Sequence, residues 1–200
     1  MPINVDFYWD FGIIIKNMIK CEILFNALEG IDIMAKHILS VLVNNQMGVL
    51  SRVSGLFSRR GYNIDSLSVG VTEDKNISRM TIVVDCEDGT ITQIVNQLDK
   101  LEDVIKICEF KDNAVYRELG LIKIDANNVQ RKEIIDIANI FRAKVIDIAN
   151  NALILEVTGN QDKVSALISM LEDYGVKEVI RTGLTAIERG EESLKNIKCQ

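Results

Sequence analysis

The stretch that decides the fold is HILSVLVNNQMGVLSRVSGLF, residues 37–57. It opens with an apolar run up to Val43, which is typical of a strand. After a polar loop, apolar residues recur at Leu50, Val53 and Phe57, a spacing that places them on one helical face. The stretch therefore predicts a strand, a short loop and a helix.

The helix is predicted to end at Gly61, which follows a basic pair as expected of a left-handed C-terminal cap. Apolar and polar residues then alternate over 65–71 and again over 79–84, which indicates two half-buried strands. The polar segment 72–77 between them is predicted to be a hairpin loop.

A second amphipathic helix over 91–101 and a strand over 104–110 complete the order βαββαβ. The order then resumes, with Phe141 in the place of Phe57, so an internal duplication is predicted. We expect an α+β protein of two tandem ferredoxin-like βαββαβ domains, each with its helices on one sheet face. The second unit is expected to contain strands over 119–124, 144–148, 152–157 and 176–180 and helices over 134–141 and 164–171.

Two turns of the second unit have local signals. Asn150-Asn151 is predicted to form a tight hairpin turn, because asparagine tolerates the positive φ that such turns demand. Gly175 is expected to end the last long helix.

The first 33 residues do not match the pattern that follows. Their apolar run is too short to span a bilayer, and no secretory signal is recognisable. We expect Met34 to be the natural start, with the residues before it an appendage or a misassigned upstream reading. The expected division is an N-terminal extension at 1–33, a first domain at 34–112, a second domain at 113–190 and a tail at 191–200.

Composition excludes several classes of function. A net charge of -6 does not provide the basic field that nucleic acids or anionic membranes attract. The four cysteines never pair as CxxC and there is one histidine, His37, so neither a metal site nor a disulfide framework is predicted. The cysteines indicate reduced thiols in the cytoplasm.

The loop between the first strand and helix is the candidate binding site. Backbone N–H groups at a helix start can receive a carboxylate. Asn45 adds an amide that donates and accepts, and Gly48 allows close approach to the backbone. The alternative is a plain turn in which Asn45 or Gly48 caps the helix, and spacing alone favours it.

The other polar residues are interpreted as structural. Arg79 and Thr81 are expected at the surface, and Asn63 in a routine turn. The remaining charged residues at the domain junction and near the end of the chain are interpreted as surface charge: Arg117, Glu118, Arg181, Arg189 and Lys195.

A longer, ordered set of motifs resembles the small subunit of acetolactate synthase, from about residue 36 to 190. The motifs are ILSVLV (38–43), GVLSRV (48–53), GLFSRRGYNI (55–64), ISRMTIVV (77–84), REL (117–119), IFRA (140–143), VTG (157–159) and RTG (181–183).

The resemblance implies a regulatory chain with no catalytic site of its own. Its large-subunit partner would hold thiamine diphosphate, Mg²⁺ and FAD and would condense two pyruvates, or pyruvate with 2-oxobutyrate. The small subunit would activate that enzyme and confer feedback inhibition by valine in branched-chain amino acid biosynthesis.

The resemblance also implies that the first domain is an ACT domain that forms a homodimer. The effector would lie between the first loop of one chain and the start of the second strand of the other. The implied effector-binding residues are Asn45, Met47, Gly48, Val49, Leu50, Asn63 and Ile64.

Three alternatives are weighed against this interpretation. A free-standing ACT sensor would serve another enzyme or regulator, but the motifs of the second half disfavour it. An acylphosphatase-like enzyme would need a Gly-rich anion loop with an arginine, which is missing. An RNA-binding sheet would need aromatic residues where Met80, Ile82 and Val84 stand.

Overall fold

The computed structural model describes residues 34–110, 113–127, 129–191 and 194. Its elements are, in order, β1 (Ala35–Asn44), α1 (Val49–Arg60), β2 (Ser66–Val71), β3 (Ile77–Cys86), α2 (Asp88–Leu98), β4 (Val104–Phe110), β5 (Ala114–Asp125), α3 (Gln130–Ile140), β6 (Lys144–Ile148), β7 (Ala152–Gly159), α4 (Gln161–Leu171), a 3₁₀ turn (Glu172–Tyr174), β8 (Val176–Arg181) and β9 (Thr185–Glu188). The expectations for residues 1–33 and for most of the tail lie outside the described residues.

The first sheet is antiparallel, with the strand order β2-β3-β1-β4. Leu39 and Val41 of β1 are fully buried against the helices, and they pair with Ile82 and Met80 of β3. A shift of one residue would turn these side chains out of the core, so the apolar alternation fixes the register.

Helix α1 buries Val49, Val53, Leu56 and Phe57. The expectation that Leu50 shares this face was wrong, because its side chain is 45% exposed. Leu50 lies at the edge of a stripe centred on the buried residues. The predicted end of the helix is confirmed, since Gly61 adopts a left-handed φ of 72° there.

The second sheet has the order β6-β7-β5-β8, and its core contains Ile122, Ile124, Leu153 and Leu155. These residues alternate along β5 and β7 on the side where α3 and α4 pack. The prediction of two tandem ferredoxin-like βαββαβ domains is confirmed. Gly175, with a φ of 85°, follows the 3₁₀ turn that extends α4.

The turn between β6 and β7 is a tight hairpin, closed by a 2.9 Å hydrogen bond from the Ala149 N–H to the Ala152 carbonyl. The positive φ expected for its asparagines was wrong: among the described non-glycine residues only Arg142 has one. The turn is held instead by Arg131, whose Nη2 donates to the carbonyls of Ala149 and Asn150 at 2.9 and 2.8 Å.

A two-stranded ribbon, Ala114–Arg117 of β5 with β9, joins the two domains, and β9 was not predicted. Ala114 and Ala186 of the ribbon pack on Phe110 of β4. Phe110 pairs with Ile38, on the sheet face opposite α1 and α2. The second domain therefore covers part of the first sheet's outer face.

Arg79 and Thr81 lie on this outer face, but the expectation that they are exposed at the surface was wrong. Thr81 is buried, and Arg79 Nε donates to the buried Ser40 Oγ at 2.8 Å. Burial lowers the pKa of the Arg79 guanidinium from its ordinary value, and the neighbouring charge of Glu73 opposes that shift.

Among the described helices, none combines the length and the apolar composition required to cross a bilayer. Nor do the described His, Cys, Asp and Glu residues form a group of three or more that could hold a metal ion.

Replacing Phe57 by alanine should lower the free energy of unfolding by about 3–5 kcal/mol, because its ring is 1% exposed in the core. The exposed Leu50→Ala variant serves as the control and should lose less than about 1 kcal/mol. Urea denaturation followed by circular dichroism measures both. Similar losses in the two variants would contradict the orientation of α1.

Candidate effector site

The loop between β1 and α1 is held by two neighbouring loops. The N–H of Asn44 donates to the Asp103 carbonyl at 2.9 Å, and the N–H of Asn45 donates to the Asn76 carbonyl at 2.7 Å. The side-chain Nδ2 of Asn45 donates to the Lys75 carbonyl at 2.9 Å. One N–H of Nδ2 remains to donate, and Oδ1 can accept a hydrogen bond from a ligand.

The N-terminus of α1 has no side-chain cap. Gly48 occupies the cap position with a φ of 85°, and Asn45 does not cap the helix. In the described part of the chain, the backbone N–H groups of Leu50 and Ser51 have no hydrogen-bond partner. Gly48 is therefore the cap residue that the alternative interpretation named, and the open donors at the positive end of the helix are of the kind that can receive a carboxylate.

The equivalent position in the second domain is already filled. Asn127, in the connection from β5 to α3, accepts hydrogen bonds from the N–H groups of Val129 and Gln130 at 3.0 and 2.9 Å. Its carbonyl also accepts from the N–H of Arg131, the second residue of α3, at 3.0 Å, whereas the N–H of Leu50, the second residue of α1, is open. Among the described residues, the start of α3 is therefore more fully hydrogen-bonded within the chain than the start of α1.

The side chains of the first loop differ in what they can contact. Met47 is 97% exposed and Leu50 is 45% exposed, so both can line an apolar pocket. Val49 is buried in the core and can contribute only its backbone.

The sequence reasoning missed Arg52, one helical turn beyond Gly48. A Cβ on Gly48 would lie 3.2 Å from Arg52 Nη1, so the guanidinium is beside the open helix start. The Nε of Arg52 is fixed by Asp103 Oδ2 at 2.6 Å. The sequence offered one signal for Arg52: it follows Gly48 by four residues, and residues four apart are neighbours on a helix surface.

The second predicted group, Asn63 and Ile64, lies between α1 and β2. The Nδ2 of Asn63 donates to Asp65 Oδ1 at 3.2 Å. Ile64 is partly buried against the core of the first domain. These residues are placed by the left-handed Gly61, which turns the chain from the helix into β2.

The structure does not bring the two predicted groups together within one chain. Asn44, at the first loop, pairs with Ile77 of β3, whereas Ser66, at the start of β2, pairs with Val83. Ile77 and Val83 are about 20 Å apart along β3, at about 3.3 Å per residue. The first loop and Asn63 therefore lie toward opposite ends of the first sheet.

Three cavities near β2 have volumes of about 490, 370 and 520 Å³. None of the three is lined by the seven predicted effector residues. A site completed by a second copy would be only a shallow surface on one chain, and it would not form a cavity there.

Glu118 and Arg181, interpreted from sequence as surface charge, form an ion pair beside the domain junction. Arg181 Nε and Nη2 donate to the two Glu118 carboxylate oxygens at 2.9 and 2.6 Å. Glu118 is only 3% exposed. Hydrogen bonding to Glu118 raises the pKa of Arg181 despite its partial burial. The surface assignment of Glu118 was wrong.

Comparison with known proteins gives two family matches in succession. A model described as "AHAS small subunit-like ACT domain" matches residues 39–106, and one described as "Small subunit of acetolactate synthase" matches residues 117–190. The acetolactate synthase small subunit of Mycolicibacterium smegmatis is 52% identical over 155 residues, which are 77% of this chain and 91% of that protein. This chain belongs to the acetolactate synthase small-subunit family.

Other members of the acetolactate synthase small-subunit family are similar to this chain over most of its length. That of Mycobacterium bovis is 49% identical over 163 residues, which are 81% of this chain and 97% of that protein. The crystal structure of the small subunit from Thermotoga maritima is 40% identical and superposes with a TM-score of 0.75, covering 80% of this chain and 100% of that one. The family and the ACT fold expected from the motifs are confirmed.

Replacing Arg181 by methionine should destabilise this small subunit by about 3 kcal/mol, because it leaves the buried Glu118 without its partner. The double variant Glu118→Gln with Arg181→Met should recover a large part of that loss, since the unpaired charge is removed. Thermal and urea unfolding of the parent, the two single variants Arg181→Met and Glu118→Gln, and the double variant measure the effect. Losses that simply add would show that the pair is not coupled.

Proposed function

We propose that this chain is the regulatory subunit of an acetolactate synthase. It carries no catalytic site, activates the catalytic large subunit, and confers feedback inhibition by valine on branched-chain amino acid biosynthesis. Thiamine diphosphate, Mg²⁺ and FAD belong to the large subunit, which performs the transferase reaction on pyruvate. The match over residues 117–190 favours this role over a free-standing ACT sensor.

The arrangement of the effector site is supported by β2, which among the described strands pairs with β3 alone and lies at the edge of its sheet. Its residues Val69 and Val71 are 45% and 58% exposed, which leaves an apolar strip beside the free strand edge. A two-fold axis would pair this edge antiparallel with the same edge of a second copy. The start of β2 in the second copy would then lie at the end of the sheet where this chain has its first loop.

Such a homodimer assembles a complete amino-acid site from two half-sites. The open N–H groups of Leu50 and Ser51 bind the carboxylate of valine, and the Oδ1 of Asn45 accepts from its ammonium group. Leu50 of one chain and Ile64 of the other contact the isopropyl group, whose burial contributes about 1.5 kcal/mol or more.

The Gly48→Asp variant should require at least about tenfold more valine for inhibition, because it places a negative charge against the bound carboxylate. Aspartate is strained at the left-handed φ of Gly48, so circular dichroism is used to check that α1 remains intact. Gly190→Asp is the matched control, since Gly190 also has a positive φ but no neighbour within 4 Å of an added Cβ. Holoenzyme activity is measured over a valine titration. Equal inhibition of the two variants would contradict the pocket assignment.

A mixture of Asn45→Ala and Asn63→Ala chains should regain valine binding that neither variant has alone. If each site takes Asn45 from one chain and Asn63 from the other, a mixed dimer contains one intact site and one doubly altered site. Random exchange of subunits should restore about one site in four. Calorimetric titration of the mixture and of each separate variant measures this. A site contained in one chain would give no recovery.

A further inference from the structure

The start of β2 contacts the second domain directly. Ser66 Oγ accepts a long hydrogen bond of 3.5 Å from the Leu184 N–H, and Ser68 Oγ lies 3.2 Å from Thr185 Oγ1. Ser66 is also only two residues beyond Ile64, one of the predicted effector residues. One short segment, residues 64–66, therefore belongs both to the domain contact and to the second half-site.

Gly183 makes the closest approach at this contact. It has a φ of 76°, and an added Cβ would lie 3.0 Å from Ser66 Cβ and 3.3 Å from Ser66 Oγ. Those distances require Ser66 to move if Gly183 carries a side chain. The positions of the two residues are therefore sterically coupled.

On the second-domain side, the segment that carries Gly183 is firmly held. The Oγ1 of Thr182 accepts from the Leu119 N–H at 3.1 Å, and the Thr182 N–H donates to the Leu119 carbonyl at 3.1 Å. The preceding residue, Arg181, makes the two-bond ion pair with the buried Glu118. A displacement of Ser66 would therefore be passed to the second sheet rather than absorbed by a loose loop.

On the first-domain side, the segment is held less firmly. The Asp65 N–H donates to the Val83 carbonyl at 2.9 Å, and Asp65 Oδ1 accepts from Asn63. Among the described strands, β3 is the one whose backbone pairs with β2. A ligand that binds Asn63 and Ile64 therefore acts on a segment that can shift at the strand edge away from β3.

We propose that the contact between Ser66 and Gly183 is the joint through which effector occupancy is transmitted to the second domain. This inference rests on the proposed function and specifies how the same site is read out. Valine favours one arrangement of the segment 63–66, and the joint imposes the matching arrangement on residues 181–183. The free energy of coupling is the difference in valine affinity between the two arrangements.

The Gly183→Ala variant tests the joint, because its methyl group displaces Ser66. In the holoenzyme, the fraction of activity that saturating valine removes should fall at least about threefold, whereas the dissociation constant of valine should change less than about threefold. Activation of the large subunit should persist. Gly190→Ala controls for the strain of a side chain at positive φ, since Gly190 has a φ of 97° and no neighbour within 4 Å.

A second variant keeps the test independent of folding defects in the first. Ser66→Gly removes the contact and should also weaken inhibition, whereas Ser66→Gly combined with Gly183→Ala restores a methyl group to the joint and should recover inhibition. Activity titration and calorimetry are applied to all variants. Unchanged inhibition in both single variants, or a parallel loss of valine binding, overturns the joint. A parent that neither binds valine nor responds to it instead overturns the proposed function, and this inference with it.

Discussion

The antiparallel pairing of β1 with β3 is the constraint on which the rest of the first domain depends. Its register places Asn44 opposite Ile77 and His37 opposite Val84, and the alternating core side chains prevent it from slipping. Because β2 follows the same register, the first loop and the start of β2 must lie far apart. A site that uses both is therefore impossible within one chain, and this follows from strand pairing alone.

β2 has two roles that follow from its position at the sheet edge. Its free side offers unpaired backbone groups and exposed apolar side chains, which are the features that make an edge strand a template for another chain. Its start contacts the second domain through Ser66 and Gly183. One strand therefore connects the surface proposed for the second copy, one half of the proposed site and the neighbouring domain.

The sequence predicts those parts of the structure that leave a local pattern. An apolar run predicted β1, alternation predicted β2 and β3, helical spacing predicted α1, and Gly61 predicted its end, because each depends on near neighbours in the chain. Glu118 and Arg181 leave no such pattern, since each is an ordinary charged residue until long-range folding buries the pair. β9 is short and is specified by pairing with β5, so it too lacked a signal. The distance between the two half-sites could be inferred only once the pairing register of the strands was known.

Duplication of the fold did not duplicate the site, and hydrogen bonding explains the difference. Both domains begin with a strand that leads into a helix, so both produce donors at a helix start. In the second domain Asn127 accepts hydrogen bonds from the first N–H groups of α3 through its side chain and its carbonyl, which stabilises the helix start. In the first domain a glycine stands at the cap, and the N–H groups of Leu50 and Ser51 remain open. The missing cap is a local cost in stability, and it is also what makes the position available to a carboxylate.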